Sequence, residues 1–225
     1  MWLGERFSKH RAACSFSFGL VLVACVTDFR QKDPSRSPSS AGVIDLVFSS
    51  EPRSEDGRTF CRGLHVGDGK VITASHCLPS LTSEITVNCG LDTSIVGRLE
   101  GFERHDEADI AWVQLTFAVT CPITRIDLSE VRQVSSIWLA SRYKLGFVQI
   151  QYEDSFTFQG RQTENCLDRG DSGAPAFVAP PDQQSFMPAV GILISGQPDC
   201  PAWQTVLKFS AVADWLAEEL PKGRS

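Results

Sequence analysis

The stretch "NCLDRGDSGAP", Asn165 to Pro175, places an acid and a serine between two glycines, directly before the apolar run "AFV". A polar turn in front of a strand would explain this composition. A nucleophile on a tight loop would explain it equally well, because glycine permits a close backbone turn that presents N–H groups to a small cavity. The rest of the chain decides between these two interpretations.

Short apolar runs recur between turn signals from residue 43 onward, in a chain of 225 residues that is 42% hydrophobic. Many of the runs are β-branched or aromatic, and Gly, Pro, Asp and Asn separate them. This spacing is typical of an all-β sandwich or barrel rather than of alternating strands and helices. Examples are "VIDLVF", "KVITAS", "DIAWVQL", "FVQIQY" and "AVGILIS".

The last apolar segment, "SAVADWLAEEL", has helical periodicity instead. Ser210 is placed to cap the start of a helix and Pro221 to end it. We therefore expect an all-β domain with one C-terminal helix. The apolar residues that share one face of this helix are Val212, Trp215, Leu216 and Leu220.

The N-terminus has the organisation of a targeting segment, with basic residues followed by "AACSFSFGLVLVA", which is too short to span a membrane. It runs into "LVAC", which resembles the bacterial lipoprotein signal, in which a cysteine is acylated, with palmitate among its lipids, after cleavage. This predicts a signal peptide over residues 1–24, a lipidated Cys25 with a flexible tether over 25–42, and a domain over 43–225. An ordinary secretory signal and an uncleaved anchor are the alternatives, and the former would give a secreted protein.

Composition limits the partners of the domain. The formal net charge is -6 and no cluster of Lys or Arg is present, so we expect no nucleic acid as a ligand. A zinc site is disfavoured because the chain has no C-x-x-C pair and only four histidines, and we predict no metal and no cofactor. The oligomeric state stays open, with a monomer as the default expectation.

Cysteine usage supports export. Of eight cysteines, Cys14 lies in the signal and Cys25 takes the lipid. An even number then remains for the exported domain, which suggests three disulfides. The remaining cysteines are Cys61, Cys77, Cys89, Cys121, Cys166 and Cys200.

His76, in "VITASHC", follows a strand-like run and directly precedes Cys77. A lone histidine at such a place is usually structural. However, "RGLHVGDGKVITASH" reads as a strand, a glycine-rich turn and a second strand, and a hairpin of this length brings Cys61 to Cys77. The disulfide would fix the backbone beside His76, which suits a catalytic base.

Asp109, in "EADIAWVQL", stands at the mouth of a buried strand. The structural alternative is a carboxylate that caps the strand. A catalytic imidazole needs a carboxylate that orients it and stabilises its charged form. Asp109 is favoured because it adjoins the apolar run, and Asp106 is the second candidate.

Ser172, in "GDSGAP", is a poor nucleophile until a base takes its proton. Gly170 lets the chain turn so that its N–H and that of Ser172 point into one cavity, where they would stabilise an oxyanion. Gly173 leaves room beside the nucleophile.

Taken together, "TASHC", "DIAWVQL" and "GDSGAP" resemble, in this order, the T-A-A-H-C, D-I-x-L and G-D-S-G-G-P motifs of the trypsin and chymotrypsin family of serine proteases. The resemblance implies two packed six-stranded Greek-key β-barrels, a C-terminal helix and a site between the barrels. It implies hydrolysis of peptide bonds in protein or peptide substrates through an acyl-enzyme. By matching position, His76 would be the general base, Asp109 its orienting acid and Ser172 the nucleophile.

The short intervals between the motifs are more similar to the compact bacterial branch of this family. That analogy pairs Cys166 with Cys200, at the wall of the specificity pocket, and leaves Cys89 to pair with Cys121. Trypsin has an acid six residues before its nucleophile, where this chain has Cys166, so a preference for Lys or Arg is not supported. The residue preference of the pocket stays open.

The resemblance also assigns a supporting role to Asp171. In trypsin-like zymogens the acid before the nucleophile pairs with a new N-terminal amine, but no R-I-V-G-G junction is present here. The bacterial branch uses an internal arginine instead, and Arg142 in "LASRYKLG" matches its place. We therefore expect an Asp171–Arg142 pair and a site that forms without activation.

Two other classes of function are alternatives to the peptidase. A protease-like domain that binds without cutting usually lacks a triad residue, and none is missing here. An esterase of the α/β-hydrolase class needs glycine two places after the serine, where this chain has Ala174, and a different triad order. The sequence therefore predicts a lipid-anchored serine endopeptidase on the exported side of a bacterial envelope membrane, preferably the outer membrane.

Overall fold

In the computed structural model, the described part of the chain forms two antiparallel β-sheets and a C-terminal helix. The residues before 43, together with Cys89 and Arg142, lie outside it, so the predicted signal, lipidation site and tether stay predictions. The described residues are 43–49, 58–78, 84–88, 94–97, 99–116, 121–141, 145–167, 170–179, 187–197 and 200–220.

The first sheet has the strand order β5-β4-β1-β2-β3-β7-β6. The neighbours β4-β1-β2-β3 have the spatial order of a Greek key. The sheet has seven strands rather than the expected six because β5 and β6 are separate strands. Only residue 98 lies between them in the chain, yet they form the two opposite edges of the sheet. The strands are β1 (Val43–Ser49), β2 (Arg58–Gly67), β3 (Lys70–Thr73), β4 (Glu84–Asn88), β5 (Ser94–Gly97), β6 (Leu99–Arg104) and β7 (Ala111–Leu115).

The second sheet closes into a six-stranded barrel with the order β10-β13-β12-β11-β8-β9. Its neighbours β11-β8-β9-β10 repeat the Greek-key order, so the predicted all-β architecture of two Greek-key barrels is confirmed. The strands are β8 (Ser136–Ala140), β9 (Leu145–Glu153), β10 (Thr157–Gln162), β11 (Pro175–Phe177), β12 (Gly191–Gly196) and β13 (Ala202–Lys208).

Alternating burial along the strands builds three apolar cores. One lies inside the first sheet and one inside the second barrel. The third joins them, since it combines Leu64 and Ile72 of the first sheet with Ile192 of the second and Leu216 of the helix. Apolar burial in this shared core therefore holds the two sheets in one fixed arrangement.

The C-terminal helix α1 spans Ala213–Glu219 and packs Leu216 into the shared core. The predicted cap was wrong: a 3-10 turn over Phe209–Val212 precedes the helix, and Val212 occupies the N-cap position without a side-chain hydrogen bond. Ser210 lies inside that turn, because the chain leaves β13 too tightly for an α-helical turn to begin there.

Candidate active site

His76 lies on a short 3-10 turn, Ser75–Cys77, directly after β3. The amide of Cys77 donates to the carbonyl of Ala74 and closes this turn. Cys77 is disulfide-bonded to Cys61 of β2, the pair that the hairpin length predicts. The turn is therefore covalently tied to the neighbouring strand, and the imidazole projects from a rigid base.

Asp109 lies in the loop between β6 and β7. His105 organises this loop, because its Nδ1 accepts hydrogen bonds from the amides of Glu107 and Ala108, both at 3.1 Å. The amide of His105 donates to the carbonyl of Ile110 at 3.0 Å. These contacts bring the carboxylate of Asp109 to the end of β3, and Asp106, the second candidate, is exposed.

His76 and Asp109 make two hydrogen bonds. The Nδ1 atom of His76 lies 2.6 Å from Oδ2 of Asp109, and the amide of His76 donates to Oδ1 at 2.9 Å. An ionised carboxylate only accepts, so Nδ1 carries the proton and Nε2 is left as the acceptor. The imidazole is thereby oriented and held in the tautomer that a general base needs.

The same contact shifts both pKa values. The hydrogen bond that His76 donates to Asp109, supported by the charge of that carboxylate, raises the pKa of His76 above its ordinary value against the effect of burial. Burial tends to raise the pKa of Asp109, but hydrogen bonds from the side chain and backbone of His76, its charge, and the backbone of Ser75 together lower it. Asp109 is thus ionised over a wide pH range and favours the imidazolium form.

The loop Gly170–Gly173, which we call the nucleophile loop after the role predicted for Ser172, has two glycines in the left-handed region, with φ of +94° at Gly170 and +85° at Gly173. A Cβ at Gly173 would lie 2.1 Å from the carbonyl oxygen of Arg62, so only glycine fits this close approach. The amide of Gly173 donates to Leu193 of β12 at 2.8 Å. The loop is therefore a tight turn packed between the two sheets rather than a free polar turn.

The loop brings Ser172 beside the histidine turn. The carbonyl oxygen of Ser172 accepts a hydrogen bond from the amide of Arg62 at 2.7 Å and lies 3.9 Å from Sγ of Cys77. Within the described residues no hydrogen bond joins the hydroxyl of Ser172 to His76. Such bonds are often long in a free enzyme and shorten when substrate binds.

Asp171, 3% exposed, is paired with Arg62 of β2. Nε of Arg62 lies 3.0 Å from Oδ1 of Asp171, and its NH1 lies 3.0 Å from Oδ1 of Asp45 on β1. Arg142, the predicted partner, lies outside the described residues, so that contact stays a prediction. Sequence reasoning missed Arg62, although an arginine inside the apolar strand "FCRGLHV" is a signal of a paired buried charge.

Of the other two predicted disulfides, one is present in the described residues. Cys166 and Cys200 are bonded and tie the segment before the nucleophile loop to the turn after β12. Cys121 is disulfide-bonded too, but Cys89 lies outside the described residues, so their pairing stays a prediction. Disulfides are typical of exported proteins.

The described residues contain neither a cluster of metal-ligating side chains nor a helix that could span a membrane. No group of three or more His, Cys, Asp or Glu side chains in the described ranges could hold a metal ion. None of the helices there has the length and apolar character that a membrane span requires.

The fold is similar to that of the Rv3671c protease from M. tuberculosis in its active form, with a TM-score of 0.59 and 15% sequence identity over 83% of each chain. At this identity the similarity shows a shared fold. No protein-family model and no curated protein matches the sequence.

Proposed function

We propose that this protein is a serine endopeptidase that cleaves peptide bonds through an acyl-enzyme. The observation that carries the proposal is the doubly hydrogen-bonded His76–Asp109 pair, held by a disulfide next to the loop of Ser172. The shared fold of a protein described as a protease supports it.

In the proposed reaction, Nε2 of His76 takes the hydroxyl proton while Oγ of Ser172 attacks the carbonyl carbon of the substrate. The N–H groups of Gly170 and Ser172 would stabilise the oxyanion, and each such donor contributes roughly 3–4 kcal/mol. The imidazolium returns its proton to the departing amine as the C–N bond breaks. Water, deprotonated by His76, then releases the acid and regenerates the serine.

Asp171 supports the site without touching substrate. Its pairing with Arg62 replaces the pairing with a new N-terminal amine, so we propose that the nucleophile loop is formed before any proteolytic activation. A buried carboxylate without such a partner would be strongly destabilising.

A second candidate is a protease-like domain that binds peptides without cutting them. The observation in its favour is that no hydrogen bond joins Ser172 to His76 in the described residues.

The location of the protein is a separate question from its reaction. We propose that lipid on Cys25 anchors the domain to the cell envelope.

The test of the proposed chemistry is covalent labelling with a fluorophosphonate, which reacts with an activated serine. We expect the wild type to label and Ser172→Ala to lose labelling completely. The control is Ser155→Ala, an exposed serine in the turn between β9 and β10, which should label like the wild type. A folded wild type that does not label would refute the peptidase and favour the binding module.

A further inference from the structure

Two glutamine side chains are buried side by side in the second barrel. Gln162 on β10 is 0% exposed and Gln204 on β13 is 1% exposed. Nε2 of Gln204 donates to Oε1 of Gln162 at 3.0 Å. We call these two residues the amide pair; buried amides need hydrogen-bond partners for all their polar atoms.

The backbone fixes the orientation of the amide pair. The carbonyl of Asn165 can only accept, and Nε2 of Gln162 donates to it at 2.9 Å. The amide of Leu167 can only donate, and it donates to Oε1 of Gln162 at 3.3 Å. Oε1 of Gln162 therefore faces Gln204. Gln204 must turn its NH2 group toward this oxygen, so that its own carbonyl oxygen points away from Gln162.

Oε1 of Gln204 points at Gly196 of β12. A Cβ on Gly196 would lie 1.9 Å from this oxygen, so the glycine leaves room for the amide. Oε1 is buried and, in the described part of the chain, has no hydrogen-bond partner. The free protein thus bears the desolvation cost of a buried acceptor that none of the described residues offsets.

This acceptor lies beside the candidate site. β12 runs alongside the nucleophile loop at Leu193, since the amide of Gly173 donates to the carbonyl of Leu193 and the amide of Leu193 donates to the carbonyl of Ala174. From Leu193 outward β12 becomes exposed, and its described ladder there is with β13 only, at Ser195 and Gly196. An extended peptide could therefore add along the other edge, with its cleaved bond at Ser172.

The opposite border is the segment Asn165–Leu167, which the disulfide Cys166–Cys200 ties to the start of β13. The amide pair lies between the two borders, in contact with Leu167 on one side and Gly196 on the other. A substrate side chain that enters beside Gly196 meets Oε1 of Gln204, because no Cβ blocks its approach.

We propose, on the basis of the proposed function, that Gln204 determines specificity by accepting a hydrogen bond from the substrate residue on the acyl side of the cleaved bond. The preferred side chain ends in a neutral donor, with glutamine first. A carboxylate would place acceptor against acceptor. A positively charged substrate side chain would enter a site in which the hydrogen-bond partners among the described residues are all neutral, so no counter-charge would offset its burial.

The first test compares three peptide substrates on the full-length wild type. They differ only in the residue before the cleaved bond, which is Gln, Met or Glu; Met matches the length of Gln but has no donor. We expect kcat/KM for the Gln peptide to exceed the others about 10- to 100-fold, because only its side chain removes the penalty of leaving the buried acceptor unpaired. Equal or faster cleavage of the Met peptide would overturn the inference.

The second test is Gln204→Met, with Gln149→Met on the exposed face of β9 as the matched control. We expect the Gln204 variant to lose the preference for Gln over Met and the control to keep it. Fluorophosphonate labelling of the Gln204 variant reports whether it is folded. If that variant labels but keeps its preference, the specificity inference fails and the peptidase stands; if the wild type does not label, the peptidase itself fails.

Discussion

At the scale of the single residue, the chemistry depends on the contact between His76 and Asp109. The raised pKa of His76 has a sign that can be tested. A group with a raised folded pKa stabilises the fold below its unfolded pKa and loses that contribution as pH rises through the folded pKa. The proposed catalysis runs the other way, because it needs His76 as a neutral base, so kcat/KM should rise as pH increases through that raised pKa.

Asp109→Asn should change both the rate and the pH profile. Loss of the carboxylate removes the hydrogen bond and the charge that raise the pKa of His76 and leaves only burial, so the apparent pKa of kcat/KM should fall. The amide also favours the wrong tautomer, which should lower kcat about 10⁴-fold. The measurement is kcat/KM against pH, with Asp106→Asn as a control that keeps both values. An unshifted profile in Asp109→Asn would show that Asp109 does not act on the base.

At the scale of the element, Arg62 connects strand β2 to the nucleophile loop. Its amide donates to Ser172, its guanidinium pairs with Asp171 and Asp45, and its carbonyl accepts from Thr73 at 2.7 Å. Arg62 of the first sheet thus fixes the loop that leads into the second sheet. Strand β2 therefore sets where the hydroxyl of Ser172 lies.

Arg62→Met should therefore destabilise the protein and disorder the loop. It leaves two buried carboxylates without the guanidinium, which should cost about 3 kcal/mol of the free energy of unfolding. Chemical denaturation measures this, and fluorophosphonate labelling reports the loop. Arg161→Met, on the exposed face of β10, is the matched control and should change stability by no more than about 0.5 kcal/mol. Equal midpoints for the two variants would exclude a role for the guanidinium.

At the scale of the whole molecule, the C-terminal helix returns to the first sheet. Nε1 of Trp215 donates to Glu103 on β6 at 3.1 Å, and Nζ of Lys70 on β3 pairs with Glu219 at 3.3 Å. With the shared core, these contacts make the two sheets one body on which both halves of the candidate site are fixed.

The predicted anchor also belongs to this scale. If lipid on Cys25 holds the protein, cells fed labelled palmitate should label the wild type, and Cys25→Ser should lose the label because serine lacks the thiol that takes the lipid. Autoradiography of the immunoprecipitated protein measures the change, and Cys14→Ser, inside the predicted signal, should keep the label. A Cys25→Ser protein that keeps the label would exclude lipid on Cys25.

The sequence by itself determined the local features of this protein. Short β-branched and aromatic runs between turn residues predicted the strands, and the spacing of one hairpin was enough to pair Cys61 with Cys77. Glycines on both sides of Ser172 predicted the tight loop, since only glycine adopts that backbone without cost. These features depend on residues close together in the chain, so composition and spacing encode them.

Only the tertiary structure decided which distant groups meet. The pairing of Asp171 with Arg62, and of Gln204 with Gln162 over 42 residues, depends on the register and closure of the two sheets. A shift of one residue in a strand moves every side chain to the other face, so no local pattern fixes such contacts. "GDSGAP" therefore identified the loop, while the folded barrels decided what supports it and which acceptor lies beside it.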